Sequence, residues 1–180
     1  MSEFSERYIS FCRDMESKYP KMFNSPYGGF AIGEGWFRII EELCANIHSH
    51  VTWARQQRLR DHLRNRAYKK GREAVLMYLS RGKEPSMWDE DRADQIMEEG
   101  LIEPRAKINH VRVAQIKEKF GGLRFYYEGG DDQVFGMVRM AESWADNTCE
   151  VCGNVGKMRR GGWVRTLCDV HEAERTELEY

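Results

Sequence analysis

Long hydrophobic runs are missing from this chain. No stretch approaches the roughly 18 apolar residues of a membrane span, and the start, with Ser2, Glu3, Ser5 and Glu6, lacks the basic and apolar regions of a secretory leader. No membrane partner is therefore expected, and a cytoplasmic location is. Net charge is scarce as well: 28 Lys and Arg against 29 Asp and Glu leave a formal −1, so no global field draws the chain to nucleic acid or anionic lipid. There is no internal repeat and no low-complexity tract in the 180 residues, a length ample for a hydrophobic core. Enzyme signatures are absent too, with no His-Glu-x-x-His, no Gly-x-Ser-x-Gly, no P-loop and no Asp/Glu pair at a spacing that a helix would converge. A non-enzyme is expected, and a site built from the Gly-rich loop with His110 or Glu118 is the remaining catalytic reading.

Cysteine is sparse, yet three of the 5 fall in one short window. Cys149 and Cys152 are answered by Cys168 and His171, two pairs of soft ligands with two residues inside each pair. That spacing is the one a tetrahedral structural Zn²⁺ site needs, because one turn of backbone can present both members of a pair to the ion. Gly153 follows the first pair, where a tight knuckle calls for positive φ. Between the pairs, Lys157 to Arg160 and Trp163 to Leu167 flank Gly161 and Gly162 as a hairpin, and the carboxylates after Cys168 start a helix. Knuckle, hairpin and helix is the order of a treble-clef finger. One structural zinc held by Cys149, Cys152, Cys168 and His171 is expected, with Lys157, Arg159, Arg160 and Arg165 near enough to offset its net negative charge. Cys12 and Cys44 lie in apolar helical patterns and read as buried thiols.

The rest of the chain alternates helical and strand periods, so the expected fold class is α+β: a mainly helical body (1–147) and a finger (148–180) packed on it. Phe4, Tyr8, Phe11, Cys12, Met15 and Tyr19 draw one stripe along a helix. A turn-rich loop from Asn24 to Gly35 leads into the most apolar helix, Trp36 to Ile47. Gly33 and Gly35 are only a fragment of a dinucleotide-binding pattern, with Arg at position 38. His48 and His50 read as surface or interface histidines. Over 111–127 the period turns to two, and Gly121 and Gly122 are the expected hairpin turn, placing Phe120 opposite Leu123, Glu118 opposite Phe125 and Ile116 opposite Tyr127. Glu118 then sits on the apolar side and needs a donor. Phe135, Val138, Met140, Ala141 and Trp144 are the expected apolar face of the helix leading to the finger.

Charge is segregated within the central segment, 52–105. Residues 52–79 read as one long helix, in which Arg55, Arg58, Arg60, Arg64, Arg66, Lys69, Lys70 and Arg72 face the single acid Asp61. This stretch is either a solvated face or a surface for an acidic or phosphate-bearing partner. The acidic helix around Asp89 to Glu99 is an alternative, internal partner for it. Lys117, Lys119, Arg124 and Tyr126 on the outer face of the hairpin, with Arg159 and Arg160 in the finger, form a second candidate contact surface.

Three stretches, Gly33 to Cys44 (GEGWFRIIEELC), Gln115 to Tyr127 (QIKEKFGGLRFYY) and Cys149 to His171, resemble a group of small, uncharacterised bacterial and phage or prophage zinc-finger proteins. The likeness covers roughly residues 20 to 50 and 110 to 172 and leaves out the charged segment. What the resemblance implies is a phage or mobile-element setting, in which a small accessory protein engages a host protein or nucleoprotein, including a defence system. Direct DNA or RNA binding by the basic helix and capture of a nucleotide signal are the competing expectations.

Overall fold

In the computed structural model, residues 5–24 and 28–178 are described. Phe4 and Pro26, placed by the sequence in the first stripe and the first loop, lie outside them. Two compact units emerge, one of Met1–Val51 with Asn109–Tyr180 and one of Thr52–Ile108. The class is α+β, with six helices and two small sheets among the described residues.

In the first unit, α1 (Glu6–Lys18) starts at Ser5, whose side chain accepts the Tyr8 amide, and buries Tyr8, Phe11 and Met15 at helical spacing. Its Phe11 ring stacks on Phe37 at 3.9 Å and meets Phe30 edge-on at 5.3 Å. Phe30 belongs to β1 (Phe30–Ala31), which pairs in parallel with β2 (Asn109–Lys119), opposite Ile116. This strand lies in the turn-rich loop and carries no alternating pattern of its own. A short 3₁₀ turn (Glu34–Trp36) runs into α2 (Phe37–Tyr68). The first half of α2 buries Phe37, Ile39, Ile40, Leu43, Cys44, Ile47 and Val51.

The antiparallel partner of β2 is β3 (Gly122–Gly130), with Lys119 opposite Gly122, Glu118 opposite Leu123 and Ile116 opposite Phe125. The turn is therefore Phe120-Gly121, both at positive φ (55° and 78°), as the strand twist of a two-residue hairpin favours. The expected turn lay one residue later. The shift keeps Ile116, Leu123 and Phe125 facing inward, because moving a hairpin turn by one residue changes partners by two and preserves the face. Phe120, however, leaves the apolar side and is 72% exposed. Asp131 caps α5 (Asp132–Ala145), which lies against β3 and buries Val134, Val138, Ala141 and Ala145. The expected face is corrected: Phe135, Met140 and Trp144 point to solvent. The chain ends with β4 (Lys157–Arg159), β5 (Arg165–Leu167) and α6 (Asp169–Leu178).

The second unit corrects the long helix expected over 52–79. The apolar and basic stretches belong to the one helix α2, which ends at Tyr68; Gly71, at φ 96°, then starts α3 (Arg72–Ser80). Only glycine takes that φ freely. Ser86 and Asp89 form a reciprocal capping box on α4 (Met87–Glu99). A small core of Ala67, Val75, Ala93 and Ile96 joins α2, α3 and α4.

Candidate metal centre

The knuckle Cys149–Gly153 follows α5 directly, and Gly153 takes φ 80°. Cys168 precedes α6, so His171 falls in the first turn of that helix, three residues on and beside its partner ligand. One ligand atom from each of Cys149, Cys152, Cys168 and His171 lies within 4.8 Å of all the others. His171 Nδ1 is 3.5 Å from Cys149 Sγ and 3.2 Å from Cys168 Sγ, and the Cys152 and Cys168 sulfurs are 3.8 Å apart. A tetrahedron with metal–ligand bonds of about 2.0 to 2.3 Å has edges of roughly 3.3 to 3.8 Å, so a single ion fits among them. Four protein ligands leave no coordination position for substrate.

Backbone amides prepare the sulfurs. The Cys168 thiol is pulled down to about 6, first by the His171 amide at the start of α6. Burial opposes charge on Cys149, but amides of Cys168, Cys152 and Val151 outweigh it and hold that thiol below its ordinary value. Cys152 is the exception, pushed up by burial and by the neighbouring sulfurs.

The glycine-rich loop packs on this knuckle. Gly35 donates its amide to Glu150 O at 2.8 Å, and the Trp36 indole donates to Thr148 O at 2.8 Å. A Cβ on Gly33 would lie 2.1 Å from Glu150 O, and one on Gly35 the same distance from Cys149 O. The glycines permit a backbone approach that no side chain allows. On the other side, Thr166 Oγ1 donates to Gly121 O at 2.6 Å, and a Cβ on Gly121 would meet Val164 at 3.1 Å. The three stretches that carried the sequence resemblance thus meet at the ligand cluster. Sequence reading singled out the ligands but missed Gly33, Gly35, Trp36, Gly121 and Thr166 as their support; the only trace was the isolated Gly-x-Gly, which resembled a different motif.

Three of the four cations expected to offset the cluster are paired with carboxylates. Arg159 and Lys157 both pair with Asp169, and Arg165 pairs with Glu150 Oε1 at 2.5 Å. Glu150 is 5% exposed, and its Oε2 has no hydrogen-bond donor among the described residues. Burial raises its carboxyl above the ordinary value in spite of Arg165. Glu118 receives the donor it requires from the Gly121 amide at 2.6 Å. His50, expected at a surface or an interface, holds Asp131 at 2.9 Å.

Half of the basic stretch is engaged inside its own unit. Arg55 and Arg58 donate to the carbonyls of Ile108 and Arg105. Arg64 is 7% exposed and reaches Glu99 and Gly100 O, each at 2.8 Å. Arg72 lies 2.5 Å from Glu90 and 2.6 Å from Asp94. Arg60, Arg66, Lys69 and Lys70 are without an ion pair among the described residues, and all four are exposed. On the hairpin, Lys117 stands opposite Arg124 and 5.2 Å from the Tyr126 ring, while Lys119 leans over Phe120 at 5.6 Å. Arg160 is exposed.

What these features define is an α+β protein with a Cys₃His cluster able to hold a metal ion. Comparison with protein-family models, curated proteins and solved structures returns no match. No helix among the described residues is long and apolar enough to cross a membrane.

Proposed function

We propose that Cys149, Cys152, Cys168 and His171 hold one structural Zn²⁺ in a treble-clef finger, and that the chain is a non-catalytic protein that binds a host macromolecule. The observation that carries the metal reading is the convergence of three sulfurs and one imidazole nitrogen within 4.8 Å. Thiolate and imidazole ligands suit zinc, and a closed four-ligand set stabilises a fold without offering a reactive site. The order of knuckle, β4–β5 hairpin and α6 supports the treble-clef assignment.

The binding role is supported by apolar side chains left in water beside unpaired cations. In the Thr52–Ile108 unit, Leu63, Arg66, Lys70 and Met77 line a groove of about 530 Å³, and Leu63 and Met77 are 42% and 69% exposed. The phage or prophage setting implied by the resemblance makes a host defence protein the first partner to seek. Direct nucleic-acid binding is the second reading, and it rests on Arg60, Arg66, Lys69 and Lys70 now that Arg55, Arg58, Arg64 and Arg72 are spent internally. Nucleotide capture by the Gly-rich loop loses support because Gly33 and Gly35 are packed against the knuckle.

Elemental analysis of protein purified without chelator tests the metal: one zinc per chain is expected, and a fully folded, metal-free preparation unaffected by Cys149→Ser refutes it. Capture from host lysate over a range of salt tests the partner. Retention on DNA that falls steeply with salt and vanishes on replacing Arg60, Arg66, Lys69 and Lys70 by alanine selects the nucleic-acid reading instead.

A further inference from the structure

Beside the finger, in the unit that contains it, lies a cavity of about 600 Å³ lined by Tyr8, Glu118, Glu150, Trp163, Arg165 and Arg175, among others. It is within the size range of small-ligand sites. We infer that this cavity accepts a planar guanidinium, the side chain of an arginine on a partner protein, stacked on Trp163 and hydrogen-bonded to Glu118 and Glu150.

The unspent chemistry of the wall consists of acceptors. Arg165 gives Nε and Nη2 to Glu150 Oε1 at 2.6 and 2.5 Å, and Arg175 gives Nε and Nη2 to Glu172 at 3.0 and 2.9 Å. Each of these cations is therefore matched by its own carboxylate. Glu118 has no ion-pair partner among the described residues and uses Oε1 on the Gly121 amide. Glu150 is buried, and its Oε2 has no hydrogen-bond partner among the described residues. A carboxylate oxygen buried without a partner is costly, and a guanidinium N–H in the cavity completes it once the Glu150 carboxylate turns toward the space that the residue lines. One positive charge would also balance Glu118.

Shape selects among cations. The Trp163 indole, 69% exposed, lines the cavity. A guanidinium stacks on an aromatic face and presents parallel N–H donors to carboxylates, whereas an ammonium is a hydrated point charge that does neither well. A phosphate or nucleotide would need free cations, and Arg165 and Arg175 are already committed. Lys117 and Lys119 line the adjoining cavity across Trp163 and not this one. The pocket chemistry is separable from the identity of any partner, so the binding-protein reading is needed only for an arginine to arrive on a protein.

The test uses the full metal-loaded chain, labelled with ¹⁵N and titrated with N-acetyl-arginine amide while the tryptophan indole resonances are followed. Trp163 is assigned by its loss in Trp163→Ala. The expected result is a saturable shift of the Trp163 resonance, with the Trp36 resonance still. Glu118→Gln, which keeps an oxygen for the Gly121 amide, weakens binding by roughly tenfold, and Trp163→Ala, which lacks that resonance and is followed by isothermal titration calorimetry, abolishes it. N-acetyl-lysine amide binds at least several-fold more weakly. No shift at high probe concentration overturns the inference, as does equal binding of the lysine probe. Guanosine monophosphate or inorganic phosphate binding there in preference to the arginine probe overturns it too. Failure of these probes leaves zinc content and lysate capture untouched, so the two readings fail separately.

Discussion

Replacing Gly35 by alanine puts the packing of the glycine-rich loop on the metal knuckle to a quantitative test. Gly35 is not at positive φ, so its requirement is one of space. An added Cβ would stand 2.1 Å from Cys149 O and 2.5 Å from Gly153 N. Both are backbone atoms of the turn that presents two ligands, and neither can swing aside as a side chain could. Ordinary carbon–oxygen contact is about 3.3 Å, so loop and knuckle must part by about 1 Å. That separation removes the 2.8 Å bond from the Gly35 amide to Glu150 O and pulls on the 2.8 Å bond from the Trp36 indole to Thr148 O. Overpacking and two weakened buried hydrogen bonds together cost about 3 to 5 kcal/mol, a fall in Tm of roughly 10 °C for a chain this size. Thermal unfolding by circular dichroism, paired with zinc analysis, reads both stability and metal retention. Gly136→Ala is the control: it lies inside α5 with no atom within 4 Å of the new Cβ, and a gain of about 0.5 to 1 kcal/mol is expected. If Gly35→Ala melts with the wild type and keeps its full metal, the loop does not brace the site and the account of the three convergent stretches is wrong.

Acidification should loosen the metal in a characteristic way. With the Cys168 thiol at about 6 in the metal-free chain, protonation there joins the competition only as pH falls through that value, so apparent zinc affinity falls more steeply below it; chelator competition between about pH 5 and pH 8 measures the break. In the second unit, Arg64→Ala removes a buried donor to Gly100 O and should cost about 2 kcal/mol in urea unfolding, whereas Arg66→Ala, exposed and unpaired, should change stability by less than about 0.5 kcal/mol. Asp131→Ala should cost about 1 to 2 kcal/mol, because Asp131 caps α5 through the Val134 amide at 3.1 Å and also holds His50. Burial opposes the Asp131 charge, but His50 and the Val134 amide outweigh it and keep the folded pKa below the ordinary 3.8. The stability it contributes is therefore full above about pH 4 and lost as pH falls through the folded value, and the acid limb of the stability profile should flatten in Asp131→Asn.

The ligand set was legible because metal coordination depends on residue type and short spacing, both of which are local. Helix stripes such as Tyr8, Phe11 and Met15 were legible for the same reason. The α5 face was misjudged at Phe135, Met140 and Trp144 because hydrophobicity there ran around the helix, and only the position of β3 decides which side is covered. The hairpin turn was misplaced because Gly122 is by itself a better turn residue than Phe120, a bulky side chain that takes φ 55° in the observed turn. Gly121 belongs to both turns, and there Thr166 bonds to its carbonyl and Val164 closes over the space a side chain would take.

By itself, then, the order of residues determined the four ligand positions, the α+β character and the inward-facing set of the hairpin apart from Phe120, since each follows from spacing along a few turns or strands. Only the tertiary structure decided that the Gly33–Gly35 loop braces the knuckle, that Arg64 and Arg72 are spent on the acidic helix, and that Glu150 is buried with an oxygen unsatisfied. Those outcomes depend on which backbone and which charge arrive from distant parts of the chain, and residues more than a hundred positions apart carry no mark of their contact in local sequence.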